Sequence, residues 1–393
     1  MAVRPVGTAA PEGRTSAGGC DHAPVRTAIV SDLHLGLGNG ADLLRGERFR
    51  EMLLAALAGS DRLVLLGDVL ELRDRPLAEA LEAAKPAIAA LAEALAGGEL
   101  IIVPGNHDHH LIEPWLERRN LAGEGPLGLE QLGAPEGRAF EALAAQAGAT
   151  EVSFAYPGLW LGDRVYVTHG HYLDRHLTVP TIERLGVAAV ERILGIPGGG
   201  PDPLAPPDDP PEADLDEYER IQTPVYAFLF GLAQATVGER RGGAAPSARI
   251  WEMLGGGDTR SAKLRSWLIG SVALPGAVGV ANRLGLGPVR SDLSAGALGR
   301  AGFEAMNAVV EELAISADHV IFGHTHHRGN PTTPGPVALW NTGSWVHQQS
   351  LIGRRASESP YWPGTVCFVE DGGEPELVHL LDELEPGDLA AGD

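Results

Sequence analysis

Short runs of leucine and β-branched residues recur along this chain, and several end abruptly at a polar segment containing glycine. Such continuous apolar runs are typical of strands that are buried on both faces. They predict strands at residues 27–30, 62–66 and 100–103. Between them, apolar residues recur every three or four positions, which predicts helices at residues 42–58 and 77–95. Alternating strands and helices of this kind predict an α/β fold.

A polar residue follows each of these three strands. Asp32, Asp68 and Asn106 are separated by intervals of 36 and 38 residues, each about the length of one βαβ unit. Strands joined in this way are parallel, so their carboxyl ends meet at one edge of the sheet. The sequence therefore predicts that the three side chains lie close together.

A second group of strands is predicted later in the chain. Residues 151–156, 159–161 and 164–168 are apolar stretches separated by Pro-Gly and Gly-Asp pairs, which favour hairpin turns. Residues 337–340, 365–369 and 377–381 show the same strand pattern. We therefore expect a four-layer α/β/β/α sandwich, in which two mixed sheets pack together between flanking helices, with a helical insertion that acts as a cap.

The same patterns divide the chain into regions. Residues 1–25 lack an apolar signal region and are expected to form a disordered extension. The core is predicted at residues 26–175 and 298–385, with a tail at 386–393. A helical insertion is expected at residues 176–297, with helices at 179–194, 218–235 and 261–274. Its segment at 195–217 is rich in Pro, Gly and Asp and is expected to be a loop.

One span of the insertion, residues 266–282, has no charged residue. A buried or capping helix pair is the favoured interpretation. An apolar lid that contacts lipid and a transmembrane segment are the alternatives. The span is short for a bilayer, and the internal Pro275 counts further against a transmembrane helix.

Composition excludes some classes of function. The 393 residues carry a net charge of −22, which argues against a protein that wraps nucleic acid. The two cysteines, Cys20 and Cys367, are too few for a disulfide framework, so a reducing cytoplasm is the simplest location.

Candidate metal ligands lie at the predicted strand ends. Carboxylate and amide oxygens together with imidazole nitrogens suit Mn, Fe or Zn, and no thiolate of a structural zinc site is present among them. Seven ligands are too many for one tetrahedral ion and suit two ions that share a carboxylate. The candidates are Asp32, His34, Asp68, Asn106, His169, His324 and His326.

Five short motifs contain these residues. In chain order they are Asp32-Leu33-His34, Gly67-Asp68, Gly105-Asn106-His107-Asp108, His169-Gly170-His171 and Gly323-His324-Thr325-His326. Their order and residue types resemble those of the calcineurin-like metallophosphoesterases. The resemblance covers roughly residues 26–171 and 298–381 and implies the hydrolysis of a phosphomonoester, phosphodiester or pyrophosphate by water activated at two divalent ions, with Mn favoured over Fe or Zn.

The resemblance also implies a role for each motif residue. Asp32, His34 and His326 would hold one ion, and Asn106, His169 and His324 the other, while Asp68 would bridge the two. His107 would stabilise the transition state or protonate the leaving oxygen. Glu71 and Asp108 are expected to orient His107.

Two further residues are candidates for substrate binding. His171 could replace His169 as a ligand, contact substrate, or support the ligands from behind, and the last role is favoured. Arg175 begins the insertion beside the site and could contact phosphate or form a surface salt bridge.

The motifs at Glu71 and at His169–Asp174, together with the helical insertion, look like those of the UDP-2,3-diacylglucosamine hydrolase branch. That similarity implies a phosphorylated small molecule or lipid as substrate, with peripheral membrane contact through the insertion. The alternatives are a soluble or cyclic nucleotide phosphodiesterase, a nuclease, which the acidic charge disfavours, and a metal-free scaffold that binds proteins. The substrate and the oligomeric state are left open by the sequence.

Overall fold

The computed structural model describes residues 25–95, 97–196, 214–235, 292, 294–349 and 351–390. Several expectations concern segments outside these ranges. They are the N-terminal extension, most of the Pro/Asp-rich loop, the helix predicted at 261–274, the uncharged span at 266–282 and the end of the tail.

Ten strands of the described chain form one hydrogen-bonded sheet in the order β10-β9-β1-β2-β3-β5-β6-β7-β8, and β4 pairs with β5 beside this path. The strands are β1 (Arg26–Val30), β2 (Arg62–Leu66), β3 (Glu99–Val103), β4 (Glu130–Gly133), β5 (Val152–Leu161), β6 (Val165–Thr168), β7 (His319–Phe322), β8 (Ala338–Asn341), β9 (Thr365–Glu370) and β10 (Glu376–His379).

The predicted parallel strands are present. β1 pairs with β2 and β2 with β3 in parallel, with Val30 opposite Leu65 and Leu66 opposite Val103. β6, β7 and β8 are also parallel to one another. The carboxyl ends of β1, β2 and β3 therefore share one edge, as the spacing of Asp32, Asp68 and Asn106 predicted.

The α/β class is confirmed, but the strands expected in two separate sheets form one curled mixed sheet. The link is β5, which pairs in parallel with β3 from Val152 to Phe154 and antiparallel with β6 from Gly158 to Leu161. Pro157 and Gly158 both face Glu130 of β4, so a β-bulge absorbs the pair that predicted a turn. One strand therefore continues where the sequence suggested a hairpin.

Both faces of the sheet are buried. One apolar cluster consists of strand residues alone, drawn from both halves of the sheet, and includes Val64, Ile101 and Ile321. The other apolar cluster joins strands to helices, with Leu65, Leu53 and Met306 among its members. Burial on both sides explains why the strand sequences are continuously apolar rather than alternating.

Eight α-helices lie in the described ranges. They are α1 (Glu47–Ala56), α2 (Leu77–Ala94), α3 (Glu113–Ala122), α4 (Arg138–Ala144), α5 (Ile182–Leu194), α6 (Leu215–Ala235), α7 (Ala295–Glu312) and α8 (Pro386–Ala390). None of the helices in these ranges is both long and apolar enough to cross a bilayer.

The first helix begins later than predicted. Residues Leu43–Arg45 form a 3-10 turn, and α1 starts at Glu47. The Asp42 carboxylate accepts the backbone N–H of Gly36 at 2.9 Å and pairs with Arg45 at 2.8 Å. Asp42 is therefore used to close the loop after β1 rather than to begin a long helix.

Helices α5 and α6 lie within the range predicted for the insertion. The hydroxyl of Thr181 accepts the N–H of Arg184 at the start of α5, and Gly195 ends that helix in a left-handed conformation. Glu219 of α6 accepts hydrogen bonds from the hydroxyls of Tyr156 and Tyr172. These contacts attach α6 to the core beside the strand ends.

Candidate metal centre

The seven predicted ligands lie together in the turns after β1, β2, β3, β6 and β7. Their atoms form two groups, and within each group the ligand atoms of the carboxylates and histidines lie within 4.8 Å of one another. The first group is Asp32, His34 and His326; the second is Asp68, His169 and His324, with Asn106 beside it.

The backbone at these turns is unusual. Seven residues other than glycine have a positive φ in the described ranges, and five of them are predicted ligands. The five are Asp32, His34, Asp68, His324 and His326, with φ between 44° and 64°. Residues with side chains rarely adopt this left-handed conformation, and such strain concentrates at functional sites. Each of these turns therefore holds a ligand in a conformation that a free chain would rarely adopt.

The motif glycines leave space for the ligands. A Cβ atom at Gly67 would collide with the ring of His169, and one at Gly323 would collide with the Asp32 carboxylate. Both ligands therefore pack directly against backbone. Gly67 and Gly323 are therefore required because any side chain at either position would collide with a ligand.

The second group is arranged to receive a cation. Nδ1 of His169 donates to the carbonyl of Leu66 at 2.9 Å, and Nε2 of His324 donates to Asp174 at 2.8 Å. In the neutral form of each ring the opposite nitrogen carries a lone pair, and each of these nitrogens lies 3.0 Å from Oδ1 of Asn106. Asp68 Oδ2 is 3.4 Å from His169 Nε2. With both rings neutral, two nitrogens, an amide oxygen and a carboxylate oxygen face one another, so the donor set fits a divalent metal ion.

The Asn106 amide can take two orientations. With Oδ1 facing the histidines, the contact is favourable when a cation lies among these atoms. Rotated by half a turn, the NH2 group would donate to His324, His169 and Asp68, and the oxygen would accept from both terminal nitrogens of Arg73 at 3.1 Å. The first orientation suits a metal-bound centre and the second a metal-free one.

The first group fits a second ion. Nδ1 of His34 lies 2.9 Å from Glu71, which leaves Nε2 facing the group. That nitrogen is 3.6 Å from Asp68 Oδ2 and 3.1 Å from His326 Nε2, which is itself 3.1 Å from Asp32. Asp68 therefore lies within reach of both groups, as a bridging carboxylate must.

The acidic and histidine side chains at the centre shift one another's pKa values. Burial favours a raised pKa for Asp68, but His169, His107 and His34 outweigh it and hold the pKa well below its usual value. Burial lowers the pKa of His34, but Glu71 outweighs it and raises the pKa to about 9. Burial likewise lowers the pKa of His169, but Asp68 outweighs it and raises the pKa to about 10. Without metal these histidines hold protons, which a bound cation would have to displace.

His107 and Glu71 form a pair beside the two groups. Nδ1 of His107 lies 2.9 and 3.0 Å from the two Glu71 oxygens, and the His107 backbone N–H donates to Asp68 at 2.8 Å. Burial raises the pKa of Glu71, but His107 and His34 outweigh it and keep the carboxyl ionised. His107 is 21% exposed, the most open side chain of the centre, so its Nε2 is available to a substrate.

Asp108 does not occupy the predicted place beside the His107 ring. Its carboxylate is fully buried and accepts the backbone N–H groups of Val69, Leu70 and Gly105 at 2.7 to 3.2 Å. Burial and the nearby Asp68 raise its pKa. Asp108 therefore ties the loop after β2 to the loop after β3.

The Arg175 side chain is turned away from the centre. It pairs with Glu191 at 3.0 Å and Glu217 at 2.8 Å and lies over the ring of Tyr218. These partners belong to α5 and α6. The residue is buried, so its salt bridges lie in the interior and not on the surface. With these partners, the guanidinium does not point toward the metal centre, where a phosphate would bind.

His171 is buried beside His169, with ring centres 5.7 Å apart. In the described part of the chain neither of its ring nitrogens has a hydrogen-bond partner. Burial, and then His169, lower its pKa well below the usual value. His171 is therefore a neutral imidazole that packs behind a ligand.

Two residues to which the sequence assigned no role at the centre reach it. Asp174 holds His324 and accepts from the hydroxyl of Tyr226 at 3.2 Å. Arg73 donates to the carbonyl of Asn106 at 2.8 Å and pairs with Glu183 of α5 at 2.7 Å. Their positions, shortly after His169 and Glu71, were the only available signal.

Comparison with known proteins gives a family match. Residues 25–203 match the model of the calcineurin-like phosphoesterase family. That range includes Asp32, Asp68, Asn106 and His169, whereas His324 and His326 lie beyond it. No curated protein sequence matches the chain.

Solved structures with some likeness include two phosphatases. A dimetal phosphatase from Danio rerio is 12% identical, with 91% of this chain and 99% of that chain covered and a TM-score of 0.33. A cold-active protein-tyrosine phosphatase from a psychrophilic Shewanella species is also 12% identical, with coverages of 90% and 80% and a TM-score of 0.26. Scores this low carry no argument, so the assignment depends on the family match. Residues 25–203 therefore match a calcineurin-like phosphoesterase domain, and this match supports a phosphoester hydrolase.

Proposed function

We propose that the protein hydrolyses its substrate at a pair of divalent metal ions. Asp32, His34 and His326 would hold one ion and Asn106, His169 and His324 the other, with Asp68 between them. The observation that supports this proposal is the second group, in which two imidazole nitrogens, an amide oxygen and a carboxylate oxygen converge. Manganese is our first choice of metal, with iron or zinc as the alternatives.

The chain's own residues would assist the reaction in defined ways. When bound, the ions would lower the pKa of water and neutralise negative charge on the phosphoryl group. His107, held through Nδ1 by Glu71, presents Nε2 to the leaving oxygen and can give it a proton. Glu71 also holds His34, so one carboxylate orients both a ligand and the proton donor.

Metal content and turnover test this proposal together. Purified protein supplied with Mn should bind two ions per chain and hydrolyse bis-p-nitrophenyl phosphate. Asp68→Asn should lower turnover by at least about 100-fold, since it removes the charge shared by both groups. Asp388→Asn, an exposed substitution in α8, is the matched control and should leave turnover unchanged. Full activity in protein stripped of metal would contradict the proposal.

A finer proposal concerns the substrate. Six large apolar side chains are exposed in the described ranges, and four lie on α5 and α6: Ile193, Leu194, Phe228 and Leu232. These exposed apolar side chains on the insertion support an amphiphilic or lipid-linked substrate, as in the UDP-2,3-diacylglucosamine hydrolase branch, and peripheral membrane contact by a cytoplasmic protein.

Phe228→Ser combined with Leu232→Ser tests this finer proposal. The double variant should lose activity on a phosphate ester that carries acyl chains and retain activity on p-nitrophenyl phosphate. If the double variant keeps the same fraction of parental activity on both substrates, and the parent turns over soluble cyclic nucleotides well, the soluble phosphodiesterase would be favoured instead.

A further inference from the structure

Arg73 is a buried cation next to the metal centre. Its backbone N–H donates to Glu71 at 2.9 Å, and its side chain extends to the loop after β3. There Nη2 donates to the carbonyl of Asn106 at 2.8 Å, and the guanidinium lies 5.2 Å from the ring centre of Tyr226. The side chain is only 8% exposed. Arg73 is therefore positioned by the same two loops that carry Asp68 and Asn106.

The guanidinium has more donors than acceptors. Nη1 pairs with Glu183, whereas Nε is buried and has no acceptor in the described ranges. When Oδ1 of Asn106 faces the metal ligands, the NH2 group of that amide faces Arg73 and offers no acceptor either. Buried donors without acceptors are costly, and an anion beside the metals would supply them.

Glu183 is the acidic partner of Arg73 and comes from the first turn of α5. Burial raises the pKa of its carboxyl, but Arg73 outweighs this effect, and His107 and His324 lower the pKa further. The carboxylate is therefore ionised and lies near the residues that face the substrate. At 18% exposed, it is the more accessible member of the pair.

We propose that Arg73 binds the phosphoryl group of the substrate, and that Glu183 is the counter-ion which the phosphoryl group replaces. The inference rests on the proposed function, because it takes the phosphoryl group to lie at the metal pair. Guanidinium groups bind phosphate through two parallel hydrogen bonds, and Arg73 has the free Nε that this geometry requires. A phosphomonoester has one more negative charge and one more non-bridging oxygen than a diester, so Arg73 favours monoesters.

Four variants of the full-length, metal-loaded protein test this role. Arg73→Gln should raise the KM for p-nitrophenyl phosphate and the Ki for inorganic phosphate by at least about tenfold, which corresponds to one charge-assisted hydrogen bond. The change for bis-p-nitrophenyl phosphate should be smaller. Arg73→Lys should recover part of the loss. Glu183→Gln should lower the Ki for phosphate about two- to fivefold, since it removes a competing carboxylate. Arg118→Gln removes a surface guanidinium and is the matched control.

Metal content separates this role from a structural one. Two ions per chain in Arg73→Gln, together with a raised Ki for phosphate, support phosphoryl binding. An unchanged Ki, or a loss of metal in place of a raised Ki, would overturn the proposal, as would an unchanged Ki in Glu183→Gln. That last variant decides the question if Arg73→Gln fails to fold. If the metal-loaded parent lacks turnover, the proposed function fails, and calorimetry with phosphate on the parent and Glu183→Gln still tests the Arg73 site.

Discussion

The strand-end loops and the two insertion helices both bury charged side chains, but they hold them differently. In the loops, ligands such as Asp68 and His169 are aimed by strained backbone and by glycines without room for a side chain. In α5 and α6, the carboxylates of Glu191 and Glu217 pair with Arg175, which ends the 3-10 turn after β6. The loops therefore offer ligand atoms to a metal, whereas the carboxylates of the helices form ion pairs inside the protein.

Asp174 and Arg73 connect these two regions. Each begins in a core loop next to the metal centre, and each contacts a residue of an insertion helix, Tyr226 or Glu183. The ligand atoms of the loops are therefore placed to bind metal, whereas the paired charges of α5 and α6 attach these helices to the core. Changes in the loops should mainly affect metal and turnover, and changes in the helices should mainly affect stability or substrate affinity.

The largest effect is expected from Gly67→Ala. The added methyl group would collide with the ring of His169, and Gly67 has a φ of 82° that alanine adopts only with strain. We expect the second ion to be lost and kcat/KM to fall by at least about 1,000-fold, which metal analysis and kinetics would measure.

Gly148→Ala is the matched control, because Gly148 also has a positive φ, of 66°, but no atom within 4 Å of an added methyl group. It should cost about 1 kcal/mol of stability and leave turnover intact. If both variants lose turnover equally, backbone strain rather than the contact with His169 explains the effect.

Asp174→Asn should have the next largest effect. Its carboxylate fixes the proton of His324 on Nε2, so that Nδ1 faces the metal. Loss of such a supporting carboxylate lowers metal affinity or activity by about 10- to 100-fold. Titration with Mn would measure the metal affinity, and turnover at saturating Mn would measure the activity. Unchanged affinity would show that His324 keeps its orientation without Asp174.

Much of the fold could be predicted from the sequence because its strands are continuous apolar runs. β2 was predicted at residues 62–66 and is found at Arg62–Leu66. β4 was missed because its sequence, Glu-Gln-Leu-Gly, is polar and its residues are only partly buried or exposed. The union of the sheet through β5 was missed because a Pro-Gly pair can form either a turn or a bulge, and only the partner strand decides between them.

The ligand positions could be proposed from motifs because neighbouring residues and strand order determine them. The roles of Arg175 and Arg73 could not, since both depend on partners more than a dozen residues away, in α5 and α6. Periodicity predicts which face of a helix is buried, but not which acid it presents to which arginine. Asp108 was misplaced because its backbone partners belong partly to another motif.

A stability effect is expected from Glu219→Gln in α6. Burial raises the pKa of Glu219, but the hydrogen bond with His109 and the two tyrosine hydroxyls outweigh it and lower the pKa. Burial lowers the pKa of His109, but Glu113 and Glu219 outweigh it and raise it to about 9. We expect the substitution to lower the free energy of unfolding by about 2–4 kcal/mol at pH 7, with kcat little changed.

The pH dependence checks the cause of that stability. Because His109 keeps its proton in the folded state, its contribution is fully present below its unfolded pKa and is lost as the pH rises from about 6.5 to about 9. Denaturant unfolding of metal-loaded protein should therefore show a stability difference between parent and Glu219→Gln that shrinks over this range. A constant difference would assign the loss to the tyrosine hydrogen bonds alone.

The smallest effect is expected from Tyr226→Phe, which removes the hydrogen bond between α6 and Asp174, the residue that orients His324. The hydroxyl donates to Asp174 at 3.2 Å, while His324 holds the same carboxylate more closely at 2.8 Å. Removing it should cost about 0.5–1.5 kcal/mol of stability and change the affinity for Mn by less than about fivefold. The ring that lies against Arg73 is retained, so the Ki for phosphate should not change. A loss of metal as large as that of Asp174→Asn would mean that α6 itself holds the ligand in place, and the two regions would then act as one unit.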